Sequence, residues 1–391
     1  MKRRLTFIAL LFICLLAAAQ SGHFYTSDKL SSNQIVHICQ DKTGYIWVAT
    51  EYGLNKYDGY RFTNYLHDAN DTTSVCCNVI SHLFTDSKGN LWVGTREGLE
   101  YYDPVTDQFD HIKMEGAKEV PRINDIVQED ENHLLVGTAG YGLFRLDINT
   151  LRTQKLDGYA KTDNNYFSHM LIDSEGAFWK SGHGNIVVRR TRDGKLQEFE
   201  SPLGTVTDFA DYEGGVVMAC IHGLLYYRDG QLYTDYFDQS AVGGKELLCR
   251  TAITDRRGNL FVGTLGSGLC WVPRGERQLK KYVYQSASFD LNTSNVWALY
   301  EDNQDNLWVG CQRRGLLLLP QAKPQFRSWK FADLHVNIGG SLTSICDGGN
   351  GTVWCSVQNN GIFGLDAEGR MIAHPSSPEG TYILYRDTQG N

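Results

Sequence analysis

The chain has 391 residues, of which 42% are hydrophobic, 12% are aromatic and 40 are glycine. This composition is ample for a large core and is typical of turn-dense β structure. The net charge of -8 at pH 7 argues against non-specific binding to nucleic acid or to an anionic membrane.

The first 19 residues have the pattern of a secretory signal peptide. A basic start at Lys2–Arg4 precedes an apolar run from Leu5 to Leu16, and Ala17–Ala19 offers a small-residue cleavage site. No later apolar run approaches the roughly 18 residues that a membrane helix needs. We therefore expect an exported, periplasmic chain with no membrane segment beyond the signal peptide.

After this segment, one phrase occurs eight times. An acidic residue, replaced by Gly348 in the eighth copy, is followed three positions on by Gly and three further on by a large apolar anchor, as in Asp41-Lys-Thr-Gly44-Tyr-Ile-Trp47. Successive anchors are 38 to 47 residues apart. The eight anchors are Trp47, Trp92, Leu135, Trp179, Val217, Phe261, Trp308 and Trp354.

Each copy carries about four short strand signals. In the first copy they are Ile35–Gln40, Ile46–Thr50, Leu54–Tyr57 and Arg61–Tyr65, separated by Gly- and Asp-containing turns. Four strands in a period near 44 residues predict an all-β propeller of four-stranded antiparallel blades. One blade cannot bury both faces of its sheet, so the anchor is expected to be a wedge between neighbouring blades.

The repeated Asp and Gly are interpreted as turn residues. An Asp just before a Gly turn caps that turn through the backbone, and the Gly slot predicts a positive φ, with Asn132 and Asp305 as substitutes. Calcium needs several oxygens that converge on one point, and no loop has that density. We predict no metal, no cofactor and no catalytic residue, although carboxylate pairs from different blades stay open.

Nine cysteines remain after the signal peptide, and none forms a Cys-x-x-Cys motif. Cys39 and Cys346 share one strand position, and Cys220 and Cys311 share another. We expect small core residues without a redox role. The adjacent Cys76-Cys77 pair has no such assignment.

The first copy resembles a known family. The stretch from Phe24 to Tyr65, above all Gly53-Leu-Asn-Lys-Tyr-Asp-Gly-Tyr-Arg-Phe62, is similar to the two-component regulator propeller repeats of hybrid two-component sensors. The resemblance extends over residues 23–391, and copies one, two and seven carry it best.

The resemblance implies the N-terminal periplasmic sensor region of a hybrid sensor histidine kinase and response regulator. Such ectodomains have two seven-bladed propellers and a small β-sandwich, followed by a membrane helix and cytoplasmic signalling domains. It further implies sensing of a glycan or oligosaccharide, control of carbohydrate-utilisation genes and a homodimer through the full ectodomain. This chain has no kinase, receiver or DNA-binding motif, so it is itself not expected to be an enzyme.

The predicted first propeller covers residues 22–330, and residues 331–391 would begin a second one. Pro320 and Pro324 lie near that boundary, and an eight-bladed ring is the alternative. The Phe24–Tyr25 segment resembles an outermost strand and is expected to close the ring with a late blade. Asp387 and Gly390 are in register for an anchor at position 393, so the chain is expected to be a fragment.

Functional variation is expected in the turn between the second and third strands of each blade, around the channel mouth. Aromatic rings stack on sugars, and Arg, His and Asn bond hydroxyls or acidic groups. The groove between the two propellers is a second candidate surface. A secreted polysaccharide lyase or hydrolase and a protein-binding scaffold are the alternative functions. The candidate ligand-binding residues are Tyr52, Arg96, Tyr141, His183, His222, Arg313, Arg314 and Asn359.

Overall fold

The structure is a computed structural model. It describes residues 23–26, 29–159, 165–243, 246–286, 289–320, 341–349, 351–358, 360–366, 370–373, 375 and 383–386. The predicted signal peptide lies outside this part of the chain. The chain divides into two compact units, Met1–Ala322 and Lys323–Asn391.

The first unit contains seven four-stranded antiparallel sheets, which we number as blades 1 to 7 along the chain. The inner strands are β2 (Ile35–Gln40), β6 (Ile80–Thr85), β10 (Ile123–Asp130), β14 (His169–Ile172), β18 (Val206–Tyr212), β22 (Cys249–Thr254) and β26 (Val296–Glu301). The second strands are β3 (Ile46–Thr50), β7 (Leu91–Thr95), β11 (His133–Thr138), β15 (Phe178–Ser181), β19 (Gly215–Cys220), β23 (Leu260–Thr264) and β27 (Leu307–Cys311).

The outer half of each blade is built from a third and a fourth strand. The third strands are β4 (Gly53–Tyr57), β8 (Gly98–Asp103), β12 (Leu143–Asp147), β16 (Ile186–Arg190), β20 (Gly223–Arg228), β24 (Leu269–Val272) and β28 (Gly315–Leu319). The outermost strands are β5 (Phe62–Tyr65), β9 (Gln108–Ile112), β13 (Arg152–Leu156), β17 (Leu196–Glu200), β21 (Gln231–Tyr233), β25 (Lys280–Lys281) and, for blade 7, β1 (His23–Tyr25).

The ring closes through its first strand. β1 pairs antiparallel with β28, so that Phe24 lies opposite Leu317. Each inner strand packs against the inner strand of the next blade, and β26 packs against β2. The first unit is therefore a seven-bladed ring, and the eight-bladed alternative is not adopted. Blade 7 combines the last three strands of the unit with its first strand.

The second unit contains one four-stranded antiparallel sheet among its described residues. Its strands are β29 (Leu342–Gly349), β30 (Thr352–Val357), β31 (Gly361–Leu365) and β32 (Met371–Ala373), paired in that order. Residues 321–340, which contain the predicted boundary at 330, lie outside the described residues. A second propeller after residue 331 stays a prediction.

The repeated Asp and Trp form one hydrogen-bonded unit. In blade 2 the Asp86 carboxylate accepts the backbone N–H groups of Lys88 and Asn90, both at 2.9 Å. Its Oδ2 also accepts the indole N–H of Trp92 at 3.0 Å. The turn-capping prediction is therefore confirmed for Asp86, and the indole bond is an addition to it. The same indole bond joins Asp41 to Trp47, Asp173 to Trp179, and Asp302 to Trp308.

The third copy departs from this pattern because its anchor, Leu135, has no side-chain N–H to donate. Its acidic residue, Glu129, instead accepts N–H groups from Nε and Nη2 of Arg145, at 2.6 and 2.7 Å. The turn slot differs as well. Asp305 has the expected positive φ of 62°, but Asn132 does not. The prediction for Asn132 was wrong: Asp130 pairs directly with His133, so that only two residues form this turn, and neither has a positive φ.

The nine cysteines from Cys39 to Cys355 are unpaired thiols, and seven of them are buried. Cys39 lies in the core between blades 1 and 2, with Trp47 and Leu83. Cys311 lies with Leu269 and Val309 in the core that blades 6 and 7 share. These contacts agree with the interpretation as small core residues. Cys76 and Cys346 are only partly buried.

Candidate functional site

A cavity of about 830 Å³ runs along the axis of the ring. Residues from all seven inner strands line it, so it is the central channel of the propeller. Ligand pockets in proteins commonly have volumes of about 300–1,000 Å³. The channel therefore has room for a ligand of one to a few sugar rings.

One polar or aromatic side chain from each blade lies in this channel, near the start of its inner strand. We call these seven residues the channel cluster. In blade order the channel cluster is His37, His82, Asp125, His169, Asp208, Arg250 and Trp297.

The two carboxylates of the channel cluster join neighbouring blades. Asp125 of blade 3 accepts the backbone N–H of Met170 in blade 4 at 2.7 Å. Asp208 of blade 5 accepts the hydroxyl of Thr251 at 2.8 Å and the backbone N–H of Ala252 at 3.1 Å, both in blade 6. Burial raises the pKa of both carboxyls. Their position is therefore explained by the architecture of the ring.

The three histidines are held in the neutral form. The rings of His37 and His82 lie 4.2 Å apart between centroids, and Nε2 of His82 lies 3.3 Å from Oδ1 of Asp125. Burial, together with the charge of Arg250, lowers the pKa of His37 to about 4 and that of His169 to about 3. Burial also lowers the pKa of His82 well below its usual range. At neutral pH the histidines therefore offer uncharged donors and acceptors.

Arg250 is the cation of the channel cluster. Its guanidinium lies over the indole of Trp297, with Cζ 5.2 Å from the ring centroid. It makes no hydrogen bond and no ion pair with any other residue in the described part of the chain. Arg250 lines the channel, and its charge lowers the pKa of both His37 and His169, on blades 1 and 4.

These pKa shifts predict that acid weakens the fold. A histidine with a folded pKa near 4 and an ordinary pKa of 6.5, such as His37, takes up its proton on unfolding. Its stabilising contribution is complete above pH 6.5 and is lost as the pH falls toward 4. Asp125 and Asp208 act with the opposite sign, because burial raises their pKa values.

The comparison of a variant with the wild type isolates the histidine contribution. The free energy of unfolding of His169→Gln should fall less steeply between pH 6.5 and 4, by up to about 1.4 kcal/mol per pH unit. Chemical denaturation at several pH values measures this slope. The exposed His222→Gln should keep the wild-type slope, and a wild-type slope in His169→Gln would contradict the assignment.

The predicted rim residues lie where expected in the chain. Tyr52, Arg96, Tyr141, His183, His222, Arg313 and Arg314 all lie in turns between the second and third strands, on one face of the ring. None of these seven is among the residues that line the cavity. Asn359 lies outside the described residues. Their role in ligand binding stays a prediction.

Some rim side chains already have partners. The Tyr141 hydroxyl donates to Glu119 at 2.9 Å. The His183 ring lies 3.8 Å from the ring of Tyr166, which does line the cavity. The His183 side chain thus contacts a residue of the channel wall. Tyr52, at 56% exposure, presents its ring to solvent.

The sequence prediction missed the channel cluster, although a signal was present. His37, His82, Asp125 and His169 each stand ten residues before their anchors. The prediction placed functional variation only after the anchor. The inner-strand position about ten residues before the anchor varies from copy to copy as strongly as the turn after the anchor does.

One further group of side chains could hold a metal ion. Ligand atoms of Cys76, Glu100 and His111 lie within 4.8 Å of one another, at the outer part of blade 2. Glu100 is buried, and its Oε2 lies 2.6 Å from Nδ1 of His111. The other ring nitrogen of His111 lies 2.9 Å from the carbonyl oxygen of Thr72. These hydrogen bonds satisfy Glu100 and His111 without an ion.

Helical structure in the described part of the chain amounts to one 3₁₀ turn, Ser240–Val242. The described residues therefore contain no helix with the length and apolar character needed to cross a membrane.

Comparison with known proteins agrees with the repeat pattern. The family model of the two-component regulator propeller matches residues 29–52, 74–97 and 290–313, which belong to copies one, two and seven. Histidine kinase P4 from Formosa agariphila is 38% identical over 69 residues, which cover 16% of this chain and 5% of that protein.

Solved structures share the fold at low identity. The extracellular domain of a hybrid two-component system from B. thetaiotaomicron superposes with a TM-score of 0.66 at 20% identity, over 95% of this chain and 51% of that one. A virginiamycin B lyase from Staphylococcus aureus gives a TM-score of 0.59 at 11% identity, over 77% of this chain and 99% of that one. The chain thus spans about half the length of the sensor ectodomain.

Proposed function

We propose that this chain of two-component regulator propeller repeats is a ligand-sensing region of a hybrid two-component sensor, and that its ligand is an oligosaccharide. The central channel, with a volume of about 830 Å³, is the observation that carries the proposal. A concave site with a few convergent polar groups is the usual form of a small-molecule site.

The side chains at the channel suit a sugar. Neutral histidines such as His37 and His169 can donate to and accept from hydroxyl groups. Tyr166 lines the cavity, and Tyr52 presents its ring on the same face of the propeller. Aromatic faces of this kind stack on sugar rings.

The proposal extends to the whole protein. The ligand would reach the chain in the periplasm, and a homodimer of the full ectodomain would pass the signal to a kinase. The regulated genes would serve carbohydrate utilisation. This chain would bind the ligand without converting it.

Calorimetry of the chain against a panel of oligosaccharides tests the proposal. We expect one glycan class to bind, and we expect Ser168→Trp, which places an indole in the channel wall, to weaken that binding at least tenfold. Ser174→Trp is the matched control, because Ser174 is exposed in a turn on the opposite face.

Rim and channel can be separated in the same experiment. If Arg96→Ala loses glycan binding and Ser168→Trp does not, the binding site lies at the rim and not in the channel. The proposed sensing function would still hold. No heat of binding across diverse glycans would overturn the proposal. Release of new products from a bound glycan would instead favour a polysaccharide lyase or hydrolase.

A further inference from the structure

The channel cluster contains more donors than the protein uses. The Arg250 guanidinium has five N–H groups and no acceptor among the described residues. The indole N–H of Trp297 and Nδ1 of His37 are also buried without a hydrogen-bond partner. Buried polar groups in native proteins are normally hydrogen-bonded, and exceptions call for an explanation. These two exceptions lie in the same cluster as Arg250.

Arg250 has no counter-charge from its neighbours. Asp208 is the acidic residue whose charge acts on Arg250. The Asp208 carboxylate, however, already accepts hydrogen bonds from the backbone N–H groups of Phe209 and Ala252 and from the hydroxyl of Thr251. The two groups form no ion pair. A partly buried guanidinium that lacks an anion is unfavourable. A bound anion would supply the missing counter-charge.

The guanidinium also contacts an aromatic side chain. Its Cζ lies over the indole of Trp297, 5.2 Å from the ring centroid. The planar fork of an arginine suits planar or tetrahedral oxyanions, which accept two parallel N–H groups at once. Such pairs are the strongest hydrogen bonds that a side chain makes to a ligand.

We propose that the central channel binds an anionic group of the ligand, a carboxylate or a sulfate ester, at Arg250. This inference rests on the proposed function and narrows it to acidic sugars. The buried N–H of Trp297 lies on the same side of the channel, on the adjacent blade. The neutral histidines His37 and His169 can then form hydrogen bonds with the hydroxyl groups of the same ligand.

Three sugars that differ only at C6 test the proposal: glucuronate, glucose 6-sulfate and glucose. Each is titrated against the chain at constant ionic strength, and the shift in melting temperature and the heat of binding are measured. We expect glucuronate or glucose 6-sulfate to bind and glucose to bind at least tenfold more weakly. The two acidic sugars separate a carboxylate site from a sulfate site.

Three arginine variants locate the effect. Arg250→Gln should weaken binding of the acidic sugar by about tenfold or more, the size expected for hydrogen bonds to a charged group. Arg250→Lys keeps the charge but lacks the planar fork. Its affinity for the acidic sugar should therefore lie between those of Arg250→Gln and the wild type. Arg256→Gln should bind the acidic sugar as tightly as the wild type does. Arg256 lies in the turn between β22 and β23 of the same blade, and it pairs with Asp305.

The outcomes separate the inference from the proposed function. Equal affinity in the wild type and Arg250→Gln, or no response to either acidic sugar, would overturn the inference. If neutral oligosaccharides bind and neither acidic sugar binds, the result would support the proposed sensing function and contradict the anion site. Melting curves of each variant without sugar show whether the ring is intact, and Arg250→Lys keeps the test valid if Arg250→Gln unfolds.

Discussion

Replacing Trp92 by alanine should lower the free energy of unfolding by about 3–5 kcal/mol. Trp92 is fully buried, and it packs in one core with Ile126, Leu134 and Phe144 of the next blade. Removal of the indole leaves a cavity between two blades, which the rigid strands can fill only in part. Chemical denaturation followed by intrinsic fluorescence measures the loss.

Two controls separate the packing of the indole from its hydrogen bond. Trp92→Phe removes the N–H that donates to Asp86 at 3.0 Å but keeps most of the ring volume. It should therefore lower the free energy of unfolding clearly less than Trp92→Ala does. Arg96→Ala, four residues further on at an exposed turn, should change stability by no more than about 0.5 kcal/mol. Similar losses in Trp92→Ala and Arg96→Ala would refute the role of the anchor as a wedge.

Gly315→Ala should destabilise the ring by about 2–5 kcal/mol, because two effects add at this residue. Gly315 has a φ of +86°, which an L-residue with a side chain adopts at a cost. A Cβ here would also lie 2.3 Å from the carbonyl oxygen of Tyr25, a backbone atom of the closing strand β1. The substitution therefore pushes β1 away from β28.

Gly266→Ala is the matched control for this prediction. Gly266 has a similar φ of +89°, but a Cβ added there would meet no atom within 4 Å. It should therefore show the conformational cost alone, about 1–2 kcal/mol. Thermal unfolding of both variants, with limited proteolysis at the N-terminus, measures the difference. Equal melting temperatures and equal N-terminal protection would show that β1 contributes little to ring closure.

Local patterns made the blades predictable. The strands of the first copy agree with the structure to within one residue at each end, because β-branched and aromatic runs are cut there by Gly and Asp turns. The identity of the closing partner was beyond such patterns. Phe24 pairs with Leu317, and no local signal links two segments so far apart in the chain.

The channel cluster was harder to predict for a specific structural reason. Six of the seven inner strands have an irregular register near their start, for example between Ile35 and His37 and between Val296 and Ala298. A bulge re-aims side chains, so simple alternation no longer tells which residue faces the channel. As a result, the channel residue is His37 in one blade and Trp297, one position earlier in the repeat, in another.

The closing pair of β1 and β28 has a consequence for the order of folding. β1 leaves the ribosome before every other strand of the ring, yet its partner is the last strand of the first unit. Pairing between such distant segments slows folding, because the loop between them must be ordered before the contact forms. Meanwhile β28 has a free edge, the kind of surface through which chains associate. We therefore expect aggregation during folding to peak after β28 appears and to decline once the first strand has docked.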